Sequence, residues 1–244
     1  MTILAWQRGG AGRGTPMVLL HDWGADAVVW QDSGWVARLE RSGITAYVPD
    51  LPGHGESADV LIPPDAEPAA WTATAILNDL DRLGVGEFTA IGHVYGCLVS
   101  SHLAVRDPKR VHHLMLIGCD DQPLIARATD VGAALRDANA ALWDPEASAE
   151  VARARRDRRH HLPTLAQWAE RATWPAAPRL GAMRTPVLLA IGRDDPRRQR
   201  APRLAALFHD GHLMTVPGTA QEALASHELV DAAVAFARGA EHKA

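Results

Sequence analysis

The chain has 244 residues, 47% of them hydrophobic, two cysteines and a formal charge of -4. That length suits one large α/β domain carrying an insertion, the charge gives no electrostatic case for a nucleic-acid partner, and no apolar run approaches the roughly 18 residues that a membrane-spanning helix needs. No basic-then-apolar leader opens the chain, and Cys97 and Cys119 do not make a disulfide framework, so a cytoplasmic location is expected.

Along the chain, short β-rich runs alternate with helical stretches, the pattern of a parallel sheet with helices on both faces. Residues 3–6 form a first short candidate strand. Met17–Leu20 is an apolar strand ending in His21-Asp22-Trp23-Gly24. A strand over 44–48 is followed by the turn-rich Pro49-Asp50-Leu51-Pro52-Gly53-His54-Gly55-Glu56-Ser57. The spacing over 71–83 predicts a helix closed by Gly84. A strand over 88–91 runs into Gly92-His93-Val94-Tyr95-Gly96 and an apolar helix over 95–105. Further strands are expected over 113–117, 186–191 and 212–216, the second running into Gly192-Arg193-Asp194-Asp195-Pro196, and a helix over 227–238 closes the chain.

Between 120 and 178 the alternation stops. This segment is helical in character, rich in Ala and Arg, and holds Trp143, His160, His161, Trp168 and Trp174. It reads as a short helical cap inserted between two strands, so that 1–119 and 179–244 make the core and 120–178 the cap. A cap over a core encloses a pocket, a common location for a ligand. The arginines of 153–159 read as a solvated helix face.

The turn at 92–96 carries the most chemical information. A strand, a glycine-flanked turn and a helix are the setting of G-x-S-x-G, which presents a nucleophilic serine at the top of a sheet. Here the central residue is Val94, which has no lone pair to attack a carbonyl and no proton for a base to remove. In order, the turn at 21–24, the loop at 50–57, the elbow at 92–96 and the loop at 192–196 resemble the α/β-hydrolase superfamily over nearly the whole chain. The resemblance implies an α/β-hydrolase fold: a mostly parallel sheet with helices on both faces and a short helical cap. It implies an oxyanion hole from the backbone N–H groups of Trp23 and Tyr95, with Asp22 in place of the family's glycine, and it makes Asp195, with Asp194 second, the match to the triad acid. Where the family's basic histidine follows the last strand, this chain has Gln221. With serine and histidine both absent, a loss of about 10⁶ in acyl transfer is the expected scale, and oxyanion donors with binding alone retain about 10³–10⁴ over water.

The degenerate catalytic triad leads to the expectation of a non-hydrolytic, cofactor-independent enzyme acting on a bulky aromatic or polyketide-like molecule. The leading version is oxygenation by O₂ through a stabilised substrate anion, in natural-product tailoring, because an oxyanion hole stabilises an enolate or phenolate too. A resemblance to cofactor-independent oxygenases rests on Cys97 following Gly96. The alternatives are a C–C bond-forming enzyme, cyclase or lyase in the same pocket, and a non-catalytic descendant that binds a small molecule or a partner protein. His21, His93, Asp195 and Gln221 are the catalytic candidates, with Asp120 and Asp121 as further bases. Trp23, Val94, Tyr95, Trp143, Trp168 and Trp174 are the substrate-binding candidates. Cys97, three residues past the elbow apex, reads as packing rather than as a nucleophile. Neither a cofactor nor a metal is expected: His160-His161, His209 with His212, and His112-His113 lack the paired spacing and carboxylate of a zinc site. The oligomeric state is not fixed, and a homodimer is left open.

Overall fold

Helix caps and glycine turns set the order of elements in a computed structural model that describes residues 3–140 and 142–239. Strands β1 (Trp6–Gly9) and β2 (Met17–Leu20) lead through helices α1 (Val28–Asp32) and α2 (Trp35–Arg41) to β3 (Ala46–Pro49). Helix α3 (Pro68–Arg82), β4 (Phe88–His93), α4 (Tyr95–Arg106) and β5 (Val111–Ile117) follow. Four helices then come in succession: α5 (Ala128–Arg136), α6 (Pro145–Arg156), α7 (Leu162–Arg171) and α8 (Ala177–Ala182). The chain returns through β6 (Val187–Gly192), α9 (Ala201–Ala205), β7 (Gly211–Val216), α10 (Ala220–Leu224) and α11 (His227–Ala237).

The strands form one sheet of order β1-β3-β2-β4-β5-β6-β7. Among the described strands only the β1–β3 pair is antiparallel. Along β2, Val18 and Leu20 join one apolar cluster while Met17 and Leu19 join another, so successive side chains enter opposite faces and both faces are covered. This is the α/β-hydrolase fold expected from the sequence, with helices on both faces of a mostly parallel sheet. No described helix is long and apolar enough to cross a membrane.

Where boundaries differ from the sequence reading, local hydrogen bonding explains it. The first strand lies at Trp6–Gly9 rather than over 3–6 because the Asp79 carboxylate takes the N–H groups of Ile3 at 2.6 Å and Leu4 at 2.8 Å. Helix α3 begins at Pro68, earlier than 71, because Glu67 accepts from the N–H groups of Ala69 and Ala70 and proline is pre-shaped for a first turn. The four helices between β5 and β6 occupy the stretch where alternation stops. Among them α7 packs on α3, and α8 on α4.

Candidate active site

The elbow is built by its neighbours rather than by its apex residue. Val94 sits between β4 and α4 at φ 45 and ψ -100, a region a β-branched residue occupies only when the surroundings impose it. Its N–H donates to the Ile117 carbonyl at 2.8 Å. A Cβ on Gly92 would lie 2.4 Å from the Gly96 backbone, and one on Gly96 would lie 2.1 Å from the Leu20 carbonyl oxygen. Both glycines are therefore required by close approach, and the turn keeps a nucleophile-presenting shape with a valine at its tip.

The two backbone donors expected to await a substrate oxygen are occupied by the chain itself. Asp22 Oδ1 accepts from the N–H of Trp23 at 2.7 Å and from the N–H of Tyr95 at 3.2 Å. The other carboxylate oxygen, Oδ2, pairs with Arg153 Nη1 at 2.6 Å. Arg153 also pairs with Glu150 at 2.8 Å and lies 5.2 Å above the Trp23 ring. Burial pushes the Asp22 carboxyl up, but the Arg153 guanidinium, foremost among the neighbouring charges, outweighs it and holds the group below its ordinary range. Asp22 is thus an ionised internal anion in an anion site. Arg153, read as one of a solvated cluster, turns inward from α6; its position was the signal missed.

Beside this ion pair lies a cavity of about 170 Å³ lined by His93, Val94, Tyr95, Arg153, Arg197 and Gln221, among others. Drug-sized ligands occupy clefts of roughly 300–1,000 Å³, so this space is smaller than the bulky aromatic substrate expected from the sequence calls for. His93 is buried, and neither ring nitrogen meets a partner of hydrogen-bonding geometry, although the Ala220 backbone is close. Burial lowers its pKa, against the opposing pull of the Asp22 charge, so the imidazole is neutral near pH 7 with a lone pair unengaged.

The remaining candidates divide sharply. Gln221 lines the cavity with Val94 and Tyr95. His21 does not: its Nε2 accepts from the Leu51 N–H at 2.9 Å and its Nδ1 meets the Asp22 carbonyl at 2.7 Å, which ties two loops together. His54 likewise accepts from Gly24 and meets the Pro52 carbonyl. Its ring meets those of His21 and His160 edge-to-face, at 5.1 and 5.3 Å between ring centres. Asp195 caps the short helical turn after β6, accepting from the Arg197 N–H at 2.8 Å, and does not line the cavity. Asp120 pairs with Arg200 at 2.8 Å, and Asp121 has a buried oxygen with no partner.

Of the tryptophans, Trp23 is wholly buried and donates to the Leu165 carbonyl, while Trp168 donates to the Pro52 carbonyl and packs edge-on to Tyr95. Both pin α7 to the core. Trp174 is half-buried against the larger apolar cluster. Trp143 is corrected: at 92% exposed it contacts no part of the cavity. Cys97 is buried, with its Sγ directed at the Gly92 carbonyl at 3.2 Å, so it packs.

Comparison with known proteins adds the family. The profile described as alpha/beta hydrolase family matches residues 17–238. A pimeloyl-[acyl-carrier protein] methyl ester esterase of Vibrio campbellii is 36% identical over 48% of this chain and 41% of its own length. A dihydrolipoyllysine-residue acetyltransferase component of the acetoin cleaving system of Pseudomonas putida is 37% identical over 47% of this chain and 30% of its own. The chain thus spans less than half the length of these curated relatives. Among solved structures, a thermophilic esterase of Thermogutta terrifontis with malate bound is similar with a TM-score of 0.75 at 19% identity, covering 97% of this chain and 93% of that one. These findings correct the functional expectation. Oxygenation, with its oxidoreductase and natural-product setting, is set aside, because relatives at about 35% identity are named methyl ester esterases.

Proposed function

The chain belongs to the α/β hydrolase family, and from that premise we propose that it hydrolyses a small carboxylic ester by direct attack of water, without an acyl-enzyme. His93 carries this reading: a buried, neutral imidazole with unengaged nitrogens, on the wall of the cavity and immediately before Val94 at the elbow's tip. A general base must be near its task and deprotonated at working pH; what supports His93 is that it lines the cavity and that burial lowers its pKa.

In the proposed reaction His93 removes a proton from a water molecule as the water oxygen bonds to the ester carbonyl carbon. The negative charge gathers on the former carbonyl oxygen, which needs the Trp23 and Tyr95 N–H groups once Asp22 yields them. The carbon–alkoxy bond then breaks, and the departing oxygen takes the proton back from His93, leaving a carboxylic acid and an alcohol. The Asp22 carboxylate stabilises the transient imidazolium, since its charge favours the protonated ring. Val94 supplies an apolar floor that cannot be acylated, and Gln221 orients the ester through its amide. The helices over 120–178 act as a cap, with Arg153 closing the space.

The test is methanol release from a panel of short methyl esters, neutral and anionic, by the purified chain and by His93→Gln. Turnover that falls by about 10²–10⁴ in the variant supports a general base. Equal turnover in the two proteins, or none in the first, rules the reading out.

A further inference from the structure

The occupied oxyanion hole sets a condition on what can enter. A neutral ester oxygen is a weaker acceptor than a carboxylate, and Asp22 already holds both N–H donors and Arg153. Something must loosen that arrangement before a carbonyl can take the donors. The cavity wall offers the means, because it carries a second guanidinium, Arg197. Arg197 is poorly engaged: Nη1 stands 3.7 Å from Asp195 Oδ1, and Nη2 reaches the Leu124 carbonyl only at 3.5 Å. Asp195, for its part, is served by the Arg197 backbone N–H at 2.8 Å. A guanidinium has five N–H donors in a planar fork suited to a carboxylate, and here most of them are uncommitted.

We propose that Arg197, with Arg153 lining the same cavity, seats a carboxylate carried by the substrate. An arriving carboxylate binds the fork of Arg197 and competes with Asp22 for Arg153, so that Asp22 loosens from the two N–H groups as the ester carbonyl approaches them. A neutral ester has no group to make that exchange. With a cavity of about 170 Å³, the corresponding substrate is a half-ester of a short dicarboxylic acid. That substrate class rests on the hydrolytic reading; the carboxylate seat does not.

The experiment is calorimetric titration of the chain with glutarate and with neutral dimethyl glutarate, repeated for Arg197→Met and Arg197→Lys. Glutarate should bind the native chain about tenfold or more tighter than Arg197→Met, the scale of one charge-assisted contact. The lysine variant should keep part of the affinity, and dimethyl glutarate should bind no better than glutarate does to Arg197→Met. Equal binding of the two ligands, no glutarate binding, or glutarate binding unchanged in both variants overturns the proposal. A thermal midpoint for each variant shows that it is folded, and Arg153→Met is the second variant should Arg197→Met fail to fold. Selective glutarate binding without cleavage of monomethyl glutarate would end the hydrolytic reading and uphold the seat. Cleavage of monomethyl and dimethyl glutarate at one rate, without selective binding, would uphold hydrolysis and end the seat.

Discussion

Asp22 and Arg153 meet at 2.6 Å, and through that contact a helix between β5 and β6 is fastened to the backbone donors beside the elbow. The same carboxylate accepts from Trp23 and Tyr95, so one side chain both ties down α6 and occupies the two donors proposed as the oxyanion hole. A buried pair of this kind adds little net stability, but removal of one partner leaves the other charge uncompensated.

Replacement of Asp22 by glycine should therefore separate the two roles. Asp22→Gly vacates the Trp23 and Tyr95 N–H groups; the gain of two oxyanion donors should exceed the lost support of the His93 imidazolium, so turnover of neutral short methyl esters should rise by about tenfold or more. The thermal midpoint should fall, because Arg153 loses one of its two carboxylate partners and α6 its tie to the Trp23 and Tyr95 backbone. Initial rates and a melting curve on the same preparation check both.

The pH dependence of turnover follows from His93. Burial lowers its pKa, so the neutral, proton-accepting form persists below the ordinary histidine value of about 6.5. Turnover should be level from neutral pH down past 6.5 and fall only as the medium becomes more acid, along a single ionisation. A rate profile for the native chain, with His93→Gln as the flat comparison, checks this.

Val94 dictates the third outcome. A fluorophosphonate that labels nucleophilic serines should add no mass to the native chain, because the elbow presents a hydrocarbon at its tip. The double variant Val94→Ser with Gln221→His restores a nucleophile and places a base near it, and should be labelled. Intact-protein mass spectrometry reads both proteins in one experiment.

Stability should decline in acid through the histidine cluster. Burial, foremost, lowers the pKa of His21 and, well below its ordinary value, that of His54, which also feels His21 and His160. Groups whose pKa is depressed on folding bind more protons when unfolded, so their contribution is complete above about 6.5 and is lost as pH falls toward the folded values. The melting temperature should drop by about 5 °C or more between pH 7.5 and 5.5. A scan in buffers of equal ionic strength measures it, and a flat profile would show that the cluster is not titrating.

The frame of this protein was readable because its punctuation is local. Glycines at 92 and 96 and the period-two strands specify the elbow and sheet without reference to anything distant, and β2, β4, β5 and β6 lie within a few residues of their expected places. The site was less readable because its key contact joins residues 131 positions apart. Asp22 looked like a substitution in a turn, and Arg153 looked like its neighbours on an arginine-rich helix, since nothing in helical spacing singles out the one that points inward. His21 and His93 are both histidines after apolar strands; only the partners differ, with the His21 ring bonded to the backbone at both nitrogens and the His93 ring at neither. Trp143 misled for a related reason, as composition gives no direction to a side chain.

The hold of Asp22 on the Trp23 and Tyr95 N–H groups also has a kinetic face. The Trp23 and Tyr95 amides are buried, yet a side chain rather than a strand or helix ladder protects them. Their hydrogen exchange is therefore governed by how often Asp22 lets go, and Asp22 is held by an arginine on α6. Two buried amides thus report, by their exchange, the hold that α6 keeps on Asp22 through Arg153.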